Sequence, residues 1–225
     1  DFCIVGEPTN PKKLGEMIKI GRRGSLSCKL EIQGIQGHVA YPHLSINPIN
    51  SLIAIHKKLK EKPLDKGNKH FQPSNLEFTA IQVDNKVHNV IPARAQIQFN
   101  IRYNNFHTAV SLKKMISSVV KLICKKNKTK YKIDFIVSGD SFLTKPNPTI
   151  QMAKKIIKKI TKINPMFSTT GGTSDARFIR KIAPCLEFGL VNKTMHKVDE
   201  CVSLKDLSNL RKIYYEILIK YFNKI

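Results

Sequence analysis

Apolar and polar residues alternate along some stretches of this chain and recur at three-to-four spacing along others. The two periods mark out strands and helices. From Gly24 to Gly34, Leu26, Cys28, Leu30 and Ile32 share one side, while Ser25, Ser27, Lys29, Glu31 and Gln33 share the other. That period of two predicts a half-buried strand. Arg94 to Tyr103 alternates in the same way, with Ala95, Ile97, Phe99, Ile101 and Tyr103 on the apolar side. Leu76 to Val83, and the alternating Tyr131, Ile133, Phe135 and Val137, predict two further strands. Two helices fall between them. Asn47-Pro48 offers an N-cap followed by a proline at the first helical position, and Ile49, Leu52, Ile53 and Leu59 follow at helical spacing. Thr108 caps a second helix carrying Leu112, Met115, Ile116, Val119 and Ile123. The order strand, helix, strand, strand, helix, strand is the ferredoxin-like βαββαβ pattern, a compact α+β unit.

The flanking segments have a different character. Phe2 to Val5 reads as a core strand running into the turn Gly6-Glu7-Pro8. Asn147-Pro148 opens a helix with Ile150, Ile156, Ile157 and Ile160, and a Gly/Thr/Ser loop follows from Ser168 to Asp175. Cys185 to Leu190 predicts a short strand. Ser203, with Asp206 three residues on, resembles a capping box before a last helix carrying Leu207, Leu210, Tyr214, Ile217 and Tyr221. The expected organisation is an α/β domain built from residues 1–23 and 138–225, with the βαββαβ unit, residues 24–137, inserted into it. The chain opens at Asp1 without a methionine, in the middle of an apolar run, which reads as the continuation of something longer.

Composition narrows the function classes. The 225 residues are 41% hydrophobic, enough for a packed core, and carry 39 Lys+Arg against 16 Asp+Glu, a formal +23. Such an excess raises a nucleic-acid hypothesis. Yet seven of those cations are Arg, the residue whose fork reads base edges, and there is no Trp. Abundant Lys, Ile and Asn together fit the drift of an AT-rich genome and a solvated surface, so no specific nucleic-acid binding is expected. The five cysteines form no C-x-x-C pair, which suits a reducing cytoplasm. No apolar run is long enough to span a bilayer, no signal segment opens the chain, and no membrane partner is expected.

Several short segments can carry chemistry. Glu7 follows a strand end, where α/β folds place their sites; its carboxylate can ligate a cation or simply sit on a surface loop. Gly37-His38-Val39-Ala40-Tyr41-Pro42-His43 holds two imidazoles that can bind metal, move protons or donate to an oxyanion, or that can be turn residues. Thr169 to Asp175 is a Gly-rich hydroxyl loop. Its backbone N–H groups can cradle an anion, and without a Gly-Lys-Ser/Thr it is not a triphosphate loop. Met195 to Glu200 sets His196 beside Asp199 and Glu200, either of which can orient the ring or remain solvated. Arg22, Arg23, Arg102 and Arg177 are forks in an Arg-poor chain, suited to carboxylates and equally to structural ion pairs.

Taken in order, Cys3-Ile-Val-Gly-Glu-Pro8, Gly21-Arg-Arg-Gly-Ser-Leu26, Gly37-His-Val-Ala-Tyr-Pro-His43, Asn89-Val-Ile-Pro92, Thr170-Gly-Gly-Thr-Ser-Asp175 and His196-Lys-Val-Asp-Glu200 resemble the dinuclear zinc amide hydrolases of the desuccinylase family. The resemblance covers essentially the whole chain and roughly the last three-fifths of that family's polypeptide. It implies the C-terminal part of a zinc-peptidase-like α/β catalytic domain, with the inserted unit serving as a dimerisation (lid) domain in a homodimer. It implies that Glu7 ligates one of two zinc ions per subunit and His196 the other, with cobalt able to substitute. His38 would reach the partner's site and stabilise the oxyanion. Arg22, Ser25, Tyr41, Asn89 and Arg102 would grip substrate carboxylates, together with Gly172, Thr173, Arg177 and Asn192. The implied reaction converts N-succinyl-LL-2,6-diaminopimelate to succinate and LL-diaminopimelate, a step of diaminopimelate and lysine biosynthesis. Two departures stand out. His88 occupies a place where the family has Asn. And none of the seven His is followed by x-Asp, nor does Glu-Glu occur, so the family's bridging carboxylate and general base are not among these residues. The runner-up reading is a non-catalytic dimerisation and carboxylate-binding remnant, and the third a basic nucleic-acid binder.

Overall fold

The computed structural model describes residues 1–223. The chain divides into two compact units, one formed by Asp1–Arg23 and Phe142–Ile225, the other by Gly24–Ser141. In chain order the first unit contributes β1 (Cys3–Val5), β2 (Met17–Lys19) and β3 (Gly21–Arg22). The second unit follows with β4 (Gly24–Gln33), β5 (Gly37–His38), a 3-10 turn at Pro42–Leu44, α1 (Pro48–Lys60), β6 (Asn75–Gln82), β7 (Val90–Ile91), β8 (Arg94–Tyr103), α2 (Ala109–Lys126) and β9 (Lys130–Gly139). The chain then returns to the first unit with β10 (Phe142–Leu143), α3 (Pro148–Thr161), β11 (Met166–Ser168), α4 (Ala176–Ile179), β12 (Cys185–Glu187) and α5 (Leu204–Phe222).

In the second unit the sheet order is β6-β8-β4-β9, antiparallel throughout. The alternation of β4 and β8 is the cause. Leu26, Leu30, Ile32, Ile97, Phe99 and Ile101 all point to one face and are almost fully buried under α1 and α2. At roughly 1.5–3 kcal/mol for each such side chain, a one-residue slip would expose the whole set, so the register is fixed. Asn47 Oδ1 accepts the Ile49 N–H at 3.0 Å, and Thr108 and Ser111 form a reciprocal capping box. These caps start α1 and α2 where the sequence places them. Ile53 is a correction: it lies 58% exposed, and Ile55 takes the buried position instead. Its helix turns a narrower apolar stripe to the sheet than the Ile-rich sequence suggests.

The first unit holds a four-stranded sheet in the order β1-β12-β2-β11, in which β1 runs parallel to β12 and β2 parallel to β11. Its core joins Ile18, Ile20, Ile150, Ile157, Phe188 and Ile213 from strands and helices. Asn147 Oδ1 accepts the Ile150 N–H at 2.9 Å and starts α3. Ser203 Oγ accepts the Asp206 N–H at 3.3 Å, the forward half of the expected box at α5. The opening run is only half-buried, because β1 has a paired neighbour on one side among the described residues. The strand expected from Cys185 to Leu190 pairs only to Glu187, after which the chain bends past Gly189.

Candidate functional site

Within the first unit, Glu7 is placed by its backbone. Residues 5–10 run beside residues 188–192: Phe188 N donates to the Val5 carbonyl at 3.0 Å, and Asn192 N to the Asn10 carbonyl at 2.9 Å. Buried Asn10 ties the two segments together, donating to the Gly189 carbonyl at 2.6 Å while its Oδ1 accepts from Gly15 and Met17. Gly189 is a glycine because a Cβ there would lie 2.3 Å from the Glu7 carbonyl oxygen. From Asn192 the chain turns through Met195 and Lys197 to His196, an exposed residue with φ of 62°. Thr194 closes that loop by bonding both backbone groups of Cys201.

The hydroxyl loop lies over a buried ionic cluster. Arg22 forks onto Glu187, with its Nε at 3.1 and 3.0 Å from the two carboxylate oxygens and its Nη2 closer still. Its Nη1 donates to the Thr170 carbonyl at 3.1 Å, and Ser174 Oγ donates to Glu187 at 2.6 Å. Lys19 lies beside them and bonds the hydroxyls of Ser168 and Thr170. Gly171 has φ of +102°, and a Cβ on it would meet Arg22 Nη1 at 2.4 Å. Gly172 faces open space, and Thr173 is half-buried beside it. Arg177 stacks its guanidinium 4.5 Å over the Phe178 ring, and its Nε is buried with no hydrogen-bond partner among the described residues.

Within the second unit, β5 pairs with β7 and sets His38 opposite Val90. Val39 N donates to the Asn89 carbonyl at 3.0 Å, so the His38 and Asn89 segments lie side by side. Ala40 N donates to His38 Nδ1 at 3.0 Å. The exposed Tyr41 ring lies 5.8 Å from the imidazole, centre to centre. On the polar face of the large sheet, Ser25 pairs with Arg102 across β4 and β8, and Ser25 Oγ accepts from Asn100 Nδ2 at 3.1 Å.

Glu7 and His196 are donor types that suit zinc. A catalytic zinc takes about three protein ligands, however, and no three His, Cys, Asp or Glu side chains converge among the described residues. Sequence reasoning missed Lys19, Asn10, Ser174 and Glu187. Glu187 left a readable trace, a lone acid in the apolar run Cys185-Leu186-Glu187-Phe188. A charge in such a run is expected only with a partner.

Residues 20–128 match the family model described as a peptidase dimerisation domain. An aminopeptidase from Bacillus cereus shares the fold with a TM-score of 0.79, covering 95% of this chain and 55% of its own, at 16% identity. The chain thus has the architecture of the M20 peptidases, an α/β fold whose sequence is interrupted by a dimerisation domain. Within that class its sequence is similar to the succinyl-diaminopimelate desuccinylases. It is 64% identical over 222 residues to the desuccinylase of Pelagibacter ubique, covering 99% of this chain and 58% of that protein. To the desuccinylase of Paracoccus denitrificans it is 48% identical over 222 residues, again 58% of the relative. The chain therefore spans somewhat over half the length of these curated relatives. No helix among the described residues is long and apolar enough to cross a membrane.

Proposed function

We propose that this chain is the substrate-gripping and dimerising part of a cytoplasmic, homodimeric desuccinylase that hydrolyses N-succinyl-LL-2,6-diaminopimelate to succinate and LL-diaminopimelate. The 64% identity to one such enzyme over nearly the whole chain carries this reading. In it, Glu7 and His196 each ligate one of two zinc ions, with cobalt an acceptable substitute, and the metal supplies an activated water. The further ligands and the general base come from residues beyond these 225. His38 donates from Nε2 to the oxyanion in the partner's site. Asn89 is held next to His38, and Tyr41, Ser25, Arg102, Gly172, Thr173, Arg177 and Asn192 contact the substrate's carboxylates and amine-bearing arm. Arg22 serves the same site while anchored on Glu187. The buried, unbonded Nε of Arg177 supports the assignment, since such a donor is costly without an acceptor. Five cysteines with no disulfide among them fit a reducing compartment.

The test uses two proteins: the 225-residue chain with added zinc, and the same chain joined behind the preceding segment of the Pelagibacter ubique relative. Succinate release is expected from the second and not from the first. In the joined protein, His38→Ala should cut turnover by about 10²–10³-fold, the usual weight of one oxyanion donor, while metal content stays the same. A joined protein that binds two zinc ions and releases no succinate would refute the assignment.

A further inference from the structure

Two of the five cysteines stand opposite each other in the sheet of the first unit. β1 and β12 run parallel, with Cys3 in register against Cys185. Side chains alternate across a sheet, so residues in register on neighbouring strands point to the same face. Here that face holds the small cluster of Phe142, Ala176 and Cys185, against which Cys3, Val5 and Ile179 pack. Phe2, Ile4 and Leu186 turn the other way and join the main core. Neighbouring strands lie about 4.7–4.9 Å apart, within the roughly 4.4–6.8 Å that separates the Cα atoms of a disulfide. The two thiols differ in access: Cys185 is 1% exposed, whereas Cys3 is half-buried. Thr144, whose Oγ1 lies 4.0 Å from Cys185 Sγ, also lines a cavity of about 270 Å³ with Arg180 and Pro184, so the surroundings of the pair are open to a small solute. The other three thiols lie elsewhere, Cys28 and Cys124 in the core of the second unit and Cys201 exposed after His196.

We propose that Cys3 and Cys185 form a site of reversible oxidative modification, closing to a cross-strand disulfide when a low-molecular-weight peroxide is present. The accessible thiol reacts first. Cys3, as the thiolate, attacks one oxygen of hydrogen peroxide; the O–O bond breaks, and the hydroxide released takes up the proton that the thiol gave to solvent. Cys3 is then a sulfenic acid. Burial foremost keeps the Cys185 thiol protonated, and Cys3 is close enough to add to that, so Cys185 acts second. Its sulfur attacks the Cys3 sulfur, the S–O bond breaks, and the Cys185 proton leaves with the hydroxide as water. The two thiols have together lost two electrons and two protons, and the peroxide has become two waters. A reducing thiol reverses the link by exchange, which suits a cysteine pair that stays reduced in a reducing compartment. The consequence is mechanical. β1 runs on towards Glu7 and has a paired neighbour on one side among the described residues. The link ties the start of that strand to β12 and encloses the whole second unit in one covalent loop. Closing so long a loop restricts the unfolded chain and favours the folded one.

The experiment uses the 225-residue chain carrying Cys201→Ser, which removes the exposed thiol. The folded protein is treated with hydrogen peroxide, free thiols are alkylated, and the chain is digested without reductant for mass spectrometry. A cross-linked Cys3–Cys185 peptide should be the main product. The intact mass should fall by two hydrogens, and dithiothreitol should restore both thiols. The oxidised protein should unfold at a higher urea concentration than the reduced one, and that shift should vanish in Cys3→Ser and in Cys185→Ala. In Cys185→Ala, peroxide should carry Cys3 on to the sulfinic acid, because the thiol that would capture the sulfenic acid is gone. Sulfinic Cys3 beside a free Cys185 thiol in the parent protein overturns the proposal. So does a link from either residue to Cys28 or Cys124, or a link that forms only in urea. Should a variant not fold, the peptide map of the parent protein decides alone. The joined protein, treated in the same way, should give the same link; a link confined to the 225-residue chain overturns the proposal for the longer protein.

Discussion

Nδ1 of His38 accepts the backbone N–H of Ala40 at 3.0 Å. A backbone amide can only donate, so Nδ1 carries the lone pair and the neutral ring keeps its proton on Nε2. That is the tautomer an oxyanion donor needs, and the turn following β5 imposes it before any substrate arrives. Nitrogen-detected NMR of the chain at alkaline pH should show His38 as the Nε2–H form. A predominant Nδ1–H form would break the link between this turn and the proposed role.

Glu187 should be the most sensitive polar position of the first unit. It is 1% exposed, and it receives the Arg22 fork and the Ser174 hydroxyl. Glu187→Leu leaves Arg22 buried without its counter-charge, close to the Lys19 ammonium. Breaking a buried pair from one side costs about 3–5 kcal/mol, a large part of a typical domain's stability. Urea unfolding should show that loss, with Glu187→Gln less affected. A change under about 1 kcal/mol would mean the pair is not buried as described.

Two glycines should respond unequally to the same methyl group. In Gly189→Ala the new Cβ would meet the Glu7 carbonyl oxygen at 2.3 Å and the Gly6 carbonyl oxygen at 2.8 Å, both backbone atoms. Such overpacking costs about 1–3 kcal/mol and displaces the segment that presents Glu7. In Gly172→Ala the Cβ meets nothing within 4 Å, and stability should stay within about 0.5 kcal/mol. Thermal unfolding of the two variants side by side checks the pair.

Alkaline pH should destabilise the fold. Burial first, and Asp134 next, push the Cys28 thiol up to about 12, and burial raises Cys124 and Cys185 as well. In the unfolded chain these thiols ionise near 8.5. Above that pH the folded state holds protons the unfolded state has lost, so stability falls as pH rises. Lys19 acts in the opposite sense. Its folded value of about 8 lies below its ordinary 10.5, so between the two the unfolded state holds the extra proton and stability gains with pH. Three thiols outweigh one lysine, giving a net decline above about 8.5 that should steepen in Lys19→Met. Unfolding curves at a series of pH values read this directly, and a shallower decline in Lys19→Met would contradict the sign.

The sequence by itself determined the elements whose burial repeats with a regular period. β4 and β8 were legible because each alternate side chain either enters the core or meets water, and a period of two survives in the letters. The helix starts at Asn47, Thr108 and Asn147 were legible because caps act within three residues. The motifs around Glu7, His38, Gly172 and His196 were legible as a family resemblance. The short strands β2, β3, β5, β7, β10 and β11 were not, because pieces of two or three residues have no period and exist only where a distant partner supplies their hydrogen bonds. The same holds for the chemistry beneath the hydroxyl loop. Lys19, Arg22, Ser168, Thr170, Ser174 and Glu187 come from four strands and one loop, separated by up to 168 residues between Lys19 and Glu187. Their meeting, and the excess charge it buries, was decided by the antiparallel pairing of β2 with β12, which sets Lys19 against Glu187. Charge balance in a protein interior is a property of neighbours in space, and only the tertiary structure names those neighbours.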